Sequence, residues 1–169
     1  MTNKTSIQFI NHASILVEHG GISILSDPWY QGEAFHKGWN LIHELADNEI
    51  ISLLEKVTHI WISHEHPDHF SILFFKKFGN LLKEKNIQIL FQETKDKRVE
   101  MFLTNSGFNV QIIRFNKWIK LSDDFEILCF KDGFYDNVKD FLLKKRQSFI
   151  SYEEYDFLIK IIAYFYNLK

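Results

Sequence analysis

The sequence predicts an α/β fold, and three patterns support that prediction. Strand-type and helix-type segments alternate from residue 57 to residue 115, which is the order of a βαβ layer. Ahead of them, two apolar runs rich in β-branched residues flank Gly20-Gly21 and indicate a β-hairpin. The 169 residues are 46% hydrophobic and 25% charged, which is typical of one globular domain with a buried core.

The first part of the chain predicts strands followed by a loop and a short helical connection. Three apolar, β-branched runs follow one another: 6–10, 13–19 and 22–27. Residues 27–39 contain Pro, Gly and aromatic residues without a period, which predicts a loop. Residues 41–56 predict a mostly helical connection, and 57–63 is a run of the buried-strand type.

The middle of the chain predicts two helices between strands. Residues 71–85 have the apolar stripe of an amphipathic helix, with Ser71 as its N-cap. A second helix is predicted over 94–107, ending at Gly107. The remaining segments predict two strands and a final hairpin turning at 122–124: 86–92, 108–115 and 117–130.

Charge and cysteine content exclude several classes of protein. The net charge of −2 gives no basic field for nucleic acid. The single cysteine, Cys129, excludes an internal disulfide and a CxxC metal site, and its strand-like surroundings favour a core position. No signal peptide is predicted, and the most apolar tract, 157–168, is too short to span a bilayer. We therefore expect a cytoplasmic protein with no membrane span and no nucleic-acid partner.

A dense cluster of histidines and carboxylates follows the predicted buried strand. In HEHPDH (64–69), His64 and His66 are two residues apart on an extended chain, so both rings can face one point. Asp68 and His69 lie near the entry to the next helix, where a tight bend can turn them back. Imidazole and carboxylate are ligands of zinc, manganese and iron. The alternative is a set of surface histidines at a strand-to-helix turn, which four ligand-type residues in this order make the less favoured interpretation.

These residues resemble the H-x-H-x-D-H motif of the metallo-β-lactamase superfamily. The stretch NHASILVEHGGISILSDPWYQGEAF (11–35) is similar to the opening of one branch, which includes ascorbate-6-phosphate lactonase-like hydrolases, N-acyl-phosphatidylethanolamine phospholipase D and part of the CMP-N-acetylneuraminate hydroxylases. The resemblance covers roughly residues 6–137 and implies an αββα sandwich with metals at one edge, between the two sheets. It implies a metal-dependent hydrolase, in which metal-bound hydroxide attacks an ester, lactone or phosphodiester of a small-molecule substrate.

The resemblance also implies roles for individual residues. His64 and His66 would bind a first metal, and Asp68 and His69 a second, with Asp68 also the catalytic residue that orients the water. The cofactor is then one or two divalent ions, zinc first, with manganese or iron as alternatives. Asp27 corresponds to a structural or outer-shell residue and is not expected to be a ligand.

Later parts of the family pattern are not matched. A complete family site takes a third His, a bridging Asp and a fourth His from later segments, and no histidine follows His69. Asp132 or Asp136 could supply an oxygen ligand, although an ordinary Gly-centred turn is favoured there. His12 either faces the site or, as the favoured interpretation, is a hydrogen-bonded histidine between strands.

The expected organisation follows from where the resemblance ends. Residues 1–137 would be the N-terminal part of an incomplete metallo-β-lactamase-like sandwich, and 138–169 a helical C-terminal tail, packed on it or aberrant. The alternative function is a truncated or degenerate family member without turnover, whose missing half a second copy in a homodimer would supply. Redox chemistry done elsewhere ranks last, because Rieske ligation needs two cysteines. Four loop aromatics are expected to pack on their own domain rather than contact substrate: Trp29, Tyr30, Phe35 and Trp39.

Overall fold

The structure, a computed structural model, describes residues 5–129 and contains the predicted alternation of strands and helices. Its elements follow in this order: β1 Ser6–Asn11, β2 Ser14–His19, β3 Ile22–Ser26, α1 Asp47–Leu54, β4 His59–Ile62, α2 Ile72–Glu84, β5 Gln88–Gln92, α3 Arg98–Asn105, β6 Asn109–Ile113, β7 Trp118–Ser122 and β8 Phe125–Leu128. The predicted tail over 138–169, the division at 137 and the candidates Asp132 and Asp136 lie outside the described residues and stay predictions.

Strands β1 to β6 form one mixed sheet in the order of the sequence. The pairs β1–β2 and β2–β3 are antiparallel, whereas β3, β4, β5 and β6 pair in parallel. Strand β1 therefore runs in the same direction as β3 and β4, and the carboxyl ends of all three lie at one edge of the sheet. Strands β7 and β8 form a separate antiparallel pair.

The local turn and cap signals of the sequence are confirmed. Gly20 and Gly21 both have positive φ, 54° and 84°, in the two-residue turn between β2 and β3, as a primed hairpin turn requires. The hydroxyl of Ser71 accepts a hydrogen bond from the backbone N–H of Phe74 and caps α2. Gly107, at φ 78°, follows α3 in the left-handed conformation that commonly ends a helix.

The predicted helical connection over 41–56 is shorter than expected. Helix α1 begins only at Asp47, where the carboxylate of Glu49 accepts a hydrogen bond from the backbone N–H of Ala46. The residues before it form no regular helix, and Leu45 instead donates its backbone N–H to the carbonyl of Tyr30. Within residues 5–129, no helix has the length and apolarity needed to cross a bilayer.

The two faces of the mixed sheet are covered by different layers. Ile60 and Ile89 belong to the main apolar cluster, which includes Phe75 of α2 and Leu103 of α3. The next residues along the strands point to the other face, where Leu90, Ile113 and Cys129 form a second cluster with the β7–β8 side chains Ile119 and Ile127. The core position predicted for Cys129 is confirmed, and burial raises the pKa of its thiol to about 12. Helices, sheet and hairpin thus supply successive layers of the expected sandwich.

The two faces of α3 allow a matched test of this core. Leu103 is fully buried, whereas Met101 on the same helix is largely exposed. We expect Leu103→Ala to lower the free energy of unfolding by about 2–5 kcal/mol, because it leaves a cavity, and Met101→Ala by no more than about 0.5 kcal/mol. Urea unfolding of both variants measures the difference, and equal midpoints would contradict the placement of α3.

Candidate metal centre

Three chain segments meet at the edge of the sheet where β1, β3 and β4 end. They are the turn after β1, the residues after β3 and the motif 64–69 after β4. Because parallel strands bring their carboxyl ends to one edge, residues far apart in sequence become neighbours there. This edge is where the predicted metal ligands lie.

The structure brings the four predicted ligands into one cluster. The ring of His64 lies 4.5 Å from that of His66 and 4.0 Å from that of His69, measured between centroids. Nε2 of His69 lies 3.4 Å from Oδ2 of Asp68. Asp68 is 4% exposed, whereas His66 is open to solvent. The assignment of these residues as ligands stays a prediction, and their proximity is consistent with it.

Asp27 anchors this cluster from behind. Its Oδ1 accepts a hydrogen bond from the backbone N–H of Ser63 at 2.7 Å, and its Oδ2 accepts from the Ser63 hydroxyl at 2.7 Å and from Nδ1 of His69 at 2.8 Å. Its backbone has φ 40°, a left-handed conformation that non-glycine residues adopt at a cost. Asp27 thus lies where an outer-shell partner orients a metal-binding histidine, as expected.

The same hydrogen bonds define the protonation of two imidazoles. Ser63 donates its one hydroxyl proton to Asp27, so the 2.9 Å contact between its oxygen and Nδ1 of His64 requires the imidazole to donate. His69 likewise donates Nδ1–H to Asp27. In the neutral form, both rings therefore keep the lone pair on Nε2, the atom that remains available to a metal.

The pKa values of these two neighbours move in opposite directions. Burial lowers the pKa of His64, and the positive charges that His69 and His66 can acquire lower it further. Burial also lowers the pKa of His69, but its hydrogen bond to Asp27 and the charges of Asp27 and Asp68 together outweigh burial and raise it. The protonated, cationic form of His69 is therefore favoured beside Asp27 and Asp68.

His12, in the turn between β1 and β2, also reaches the cluster. Its Nε2 lies 3.1 Å from Oδ2 of Asp68, and one ligand atom from each of His12, Asp68 and His69 lies within 4.8 Å of the other two. His12 is a hydrogen-bonded histidine between two strands, as the favoured interpretation states, and because its partner is Asp68 it also faces the site. The sequence signal was the position of NHAS directly after a predicted strand, whereas the direction of that strand relative to β3 and β4 is seen only in the structure.

The burial of Asp68 is compatible with a cation in this cluster. Its Oδ1 is buried and has no hydrogen-bond partner among residues 5–129. A buried carboxylate oxygen without a donor is costly, and a metal ion would satisfy it. The donor set, imidazole nitrogens with a carboxylate, is one that zinc, iron and manganese accept.

Aromatic side chains surround the cluster at different depths. Trp29 and Tyr30 are buried, so their predicted packing on the domain is confirmed. Trp39 is 52% exposed and meets His12 edge-on, with 6.1 Å between ring centroids. Phe35 is also exposed, 5.7 Å from the ring of His66. The last two residues form an open apolar rim beside the histidines.

A mixed sheet with imidazoles and a buried carboxylate at its carboxyl edge defines an α/β protein with a candidate metal centre. Comparison with known families identifies the class more closely. The family described as "Beta-lactamase superfamily domain" matches residues 6–126, and the chain belongs to this superfamily.

Curated relatives of the chain are hydroxylases. The chain is 31% identical over 134 residues to the cytidine monophosphate-N-acetylneuraminic acid hydroxylase of Asterias rubens, covering 77% of this chain and 20% of that protein. It is 27% identical over 133 residues to the hydroxylase of Danio rerio, covering 77% of this chain and 22% of that protein. The chain therefore spans about a fifth of the length of these relatives.

A solved structure shares the fold. CmlA, a diiron beta-hydroxylase from Streptomyces venezuelae, matches with a TM-score of 0.57 and 16% identity, over 78% of this chain and 24% of that chain. At this identity the match supports the metallo-β-lactamase-like fold alone. The predicted fold class is thus confirmed over the described residues.

The hydrogen bonds of Asp27 can be tested without metal. In Asp27→Asn, the amide keeps one acceptor oxygen, but its NH₂ group replaces the other. That NH₂ group then faces hydrogen-bond donors of Ser63 and His69 and cannot accept from them. We expect the free energy of unfolding in excess chelator to fall by about 2–3 kcal/mol. Asp123→Asn is the control, since Asp123 forms an exposed ion pair with Lys120 and its loss should cost at most about 1 kcal/mol. Equal urea midpoints for the two variants would contradict the network.

Proposed function

We propose that this chain holds a divalent metal through His64, His66, Asp68 and His69 and that the centre serves hydrolysis of an ester, lactone or phosphodiester. The observation that best supports this is the buried Asp68, which has one carboxylate oxygen without a partner among the described residues and the other 3.4 Å from Nε2 of His69. Zinc is the first choice of ion, with manganese or iron as alternatives, because all three accept this donor set.

The residues around the centre prepare the ligands before an ion arrives. Asp27 and Ser63 hold the Nδ1 protons of His69 and His64, so both rings offer Nε2. Burial favours the neutral form of His64, which keeps its lone pair near neutral pH. A bound divalent ion supplies Lewis-acid chemistry by lowering the pKa of a coordinated water from 15.7 to about 7. Asp68, whose carboxylate faces this space, is the residue that orients that water.

The substrate would approach from the exposed side of the cluster. His66 is exposed, and Phe35 and Trp39 form an apolar rim next to it. Such a rim can pack against the apolar face of a small molecule whose polar group reaches the metal. We propose a small-molecule substrate for this reason, and no nucleic acid. The location in the cytoplasm stays a proposal.

A second candidate function follows from the names of the relatives. Both relatives described above are hydroxylases, and they match across the region that contains the motif. Under this alternative the chain is a metal-bearing part of a hydroxylase-type assembly, and it does not hydrolyse a substrate by itself. All eight histidines of the given sequence lie at or before position 69, so residues 70–169 supply no histidine ligand of the family pattern.

Removing one exposed ligand candidate tests the metal centre directly. We expect the chain, purified without a His-tag, to retain at least one divalent ion, and His66→Ala to weaken zinc binding by more than the roughly 10–100-fold that loss of an outer-shell partner costs. Competition with a chromogenic chelator measures the affinity. His43→Ala is the control, because His43 is an exposed histidine outside the cluster. Absence of bound metal in the unmodified chain would sink the proposal.

Turnover separates the two candidate functions. We expect the zinc-loaded chain to hydrolyse a chromogenic phosphodiester or a lactone, and Asp68→Asn to lower the rate by about 100-fold or more, since that residue orients the nucleophile. Metal binding without hydrolysis would favour the non-hydrolytic alternative. Elemental analysis after purification adds a second readout, because preferential retention of iron would point toward the hydroxylase role. Size-exclusion chromatography shows whether either activity belongs to a homodimer.

A further inference from the structure

His12 precedes His64, the first residue of the motif, by 52 residues, yet its ring contacts the buried carboxylate of Asp68. Nε2 of His12 is 3.1 Å from Oδ2 of Asp68, and Nε2 of His69 is 3.4 Å from the same oxygen. Ligand atoms at about 2.1 Å from a tetrahedral zinc lie about 3.4 Å from one another, so these two separations suit ligands of a common ion. One ligand atom from each of the three residues lies within 4.8 Å of the other two.

The backbone around His12 is arranged to aim this imidazole. His12 has φ 37°, in the left-handed region that costs a non-glycine residue about 1–3 kcal/mol unless its surroundings impose it. The side chain of Asn11 accepts a hydrogen bond from the N–H of His12 and donates one to the carbonyl of His43. These contacts hold the turn in its strained form. Strain of this kind is typical of positions where a side chain has a functional direction.

Two tryptophans restrict the ring itself. The imidazole of His12 meets Trp29 edge-on at 5.1 Å and Trp39 edge-on at 6.1 Å, measured between centroids. Its side chain is nevertheless 32% exposed, so the ring is not simply core packing. A restricted imidazole loses little conformational freedom on coordination, which favours binding.

We propose that His12 is a third ligand, with Asp68 and His69, of the second metal position. The inference rests on the proposed metal function and extends it beyond the motif. As a ligand, His12 would present the lone pair of Nε2 to the ion and carry its ring proton on Nδ1. The ion would then replace the hydrogen bond that His12 now makes with the carboxylate of Asp68. Its positive charge would compensate the burial of the orphaned Oδ1 of Asp68.

A competing explanation is that His12 only orients Asp68 through a hydrogen bond. An outer-shell partner of this kind also lowers metal affinity by roughly 10–100-fold when removed, so affinity alone does not separate the two roles. The two roles differ in bonding. A ligand forms a nitrogen–metal bond and keeps its proton on Nδ1, whereas an orienting histidine keeps its proton on Nε2.

Cadmium NMR measures that bond in the unmodified chain. The chain is labelled with ¹⁵N-histidine and loaded with ¹¹³Cd²⁺, and scalar couplings between cadmium and imidazole nitrogens are recorded. We expect couplings from Nε2 of His12 and of His69 to the same cadmium resonance. His12→Gln assigns the first coupling by its loss. His43→Gln replaces an exposed side chain, keeps the backbone carbonyl that Asn11 contacts, and should leave the cadmium couplings unchanged.

The possible results are distinct. A cadmium resonance coupled to His69 and not to His12, with His12 still protonated on Nε2, would overturn the ligand assignment and leave the metal function intact. Equilibrium dialysis showing that the chain binds no cadmium, zinc or iron would overturn the proposed function together with this inference. Shared coupling, with zinc affinity reduced at least about 10-fold in His12→Gln, would support it.

Discussion

The hydrogen bonds of the Asp27 carboxylate are the constraint on which the candidate centre depends. This side chain is 3% exposed, and three donors from Ser63 and His69 compensate its burial. Through them, the end of β3 is joined to the end of β4 and to the last residue of the motif. Because Nδ1 of His69 donates a hydrogen bond to Asp27, Nε2 is the nitrogen of that ring that faces Asp68 and that would bind a metal. Without this carboxylate, the imidazole of His69 would lose the hydrogen bond that fixes its orientation.

The direction of the strands explains why this anchor can work. Strands β1, β3 and β4 run the same way, so the turn at His12, the residue Asp27 and the motif all emerge at one edge. Helices cover one face of the sheet and the β7–β8 hairpin packs on the other, which leaves the edge as the place where polar groups can meet. The left-handed backbone at both His12 and Asp27 indicates that the packed sheet bears local strain there to direct side chains.

Most of the described fold could be predicted from the sequence because its signals are local. The Gly20-Gly21 turn, the Ser71 cap and the alternation of strands and helices each depend on a few neighbouring residues. The motif is local too, since its four residues lie within six positions. His12 could not be placed in the same way, because its contact with Asp68 depends on the relative direction of strands 50 residues apart in sequence. The start of α1 was predicted too early, because the hydrogen bond from the Ala46 backbone to the Glu49 side chain, and not the apolar pattern, decides where the helix begins.

The two halves of the cluster are prepared for a metal to different degrees. On one side, His12 is hydrogen-bonded to Asp68, and Asp27 and Ser63 are hydrogen-bonded to His69. The ring of His12 is in turn held edge-on by Trp29. On the other side, His66 is exposed and has the rings of His64 and Phe35 as neighbours. Hydrolysis needs coordination positions that water and substrate can enter, whereas tight binding needs ligands fixed in advance. This asymmetry suits both requirements of the proposed centre: the buried half would retain an ion, and the open half would admit a substrate.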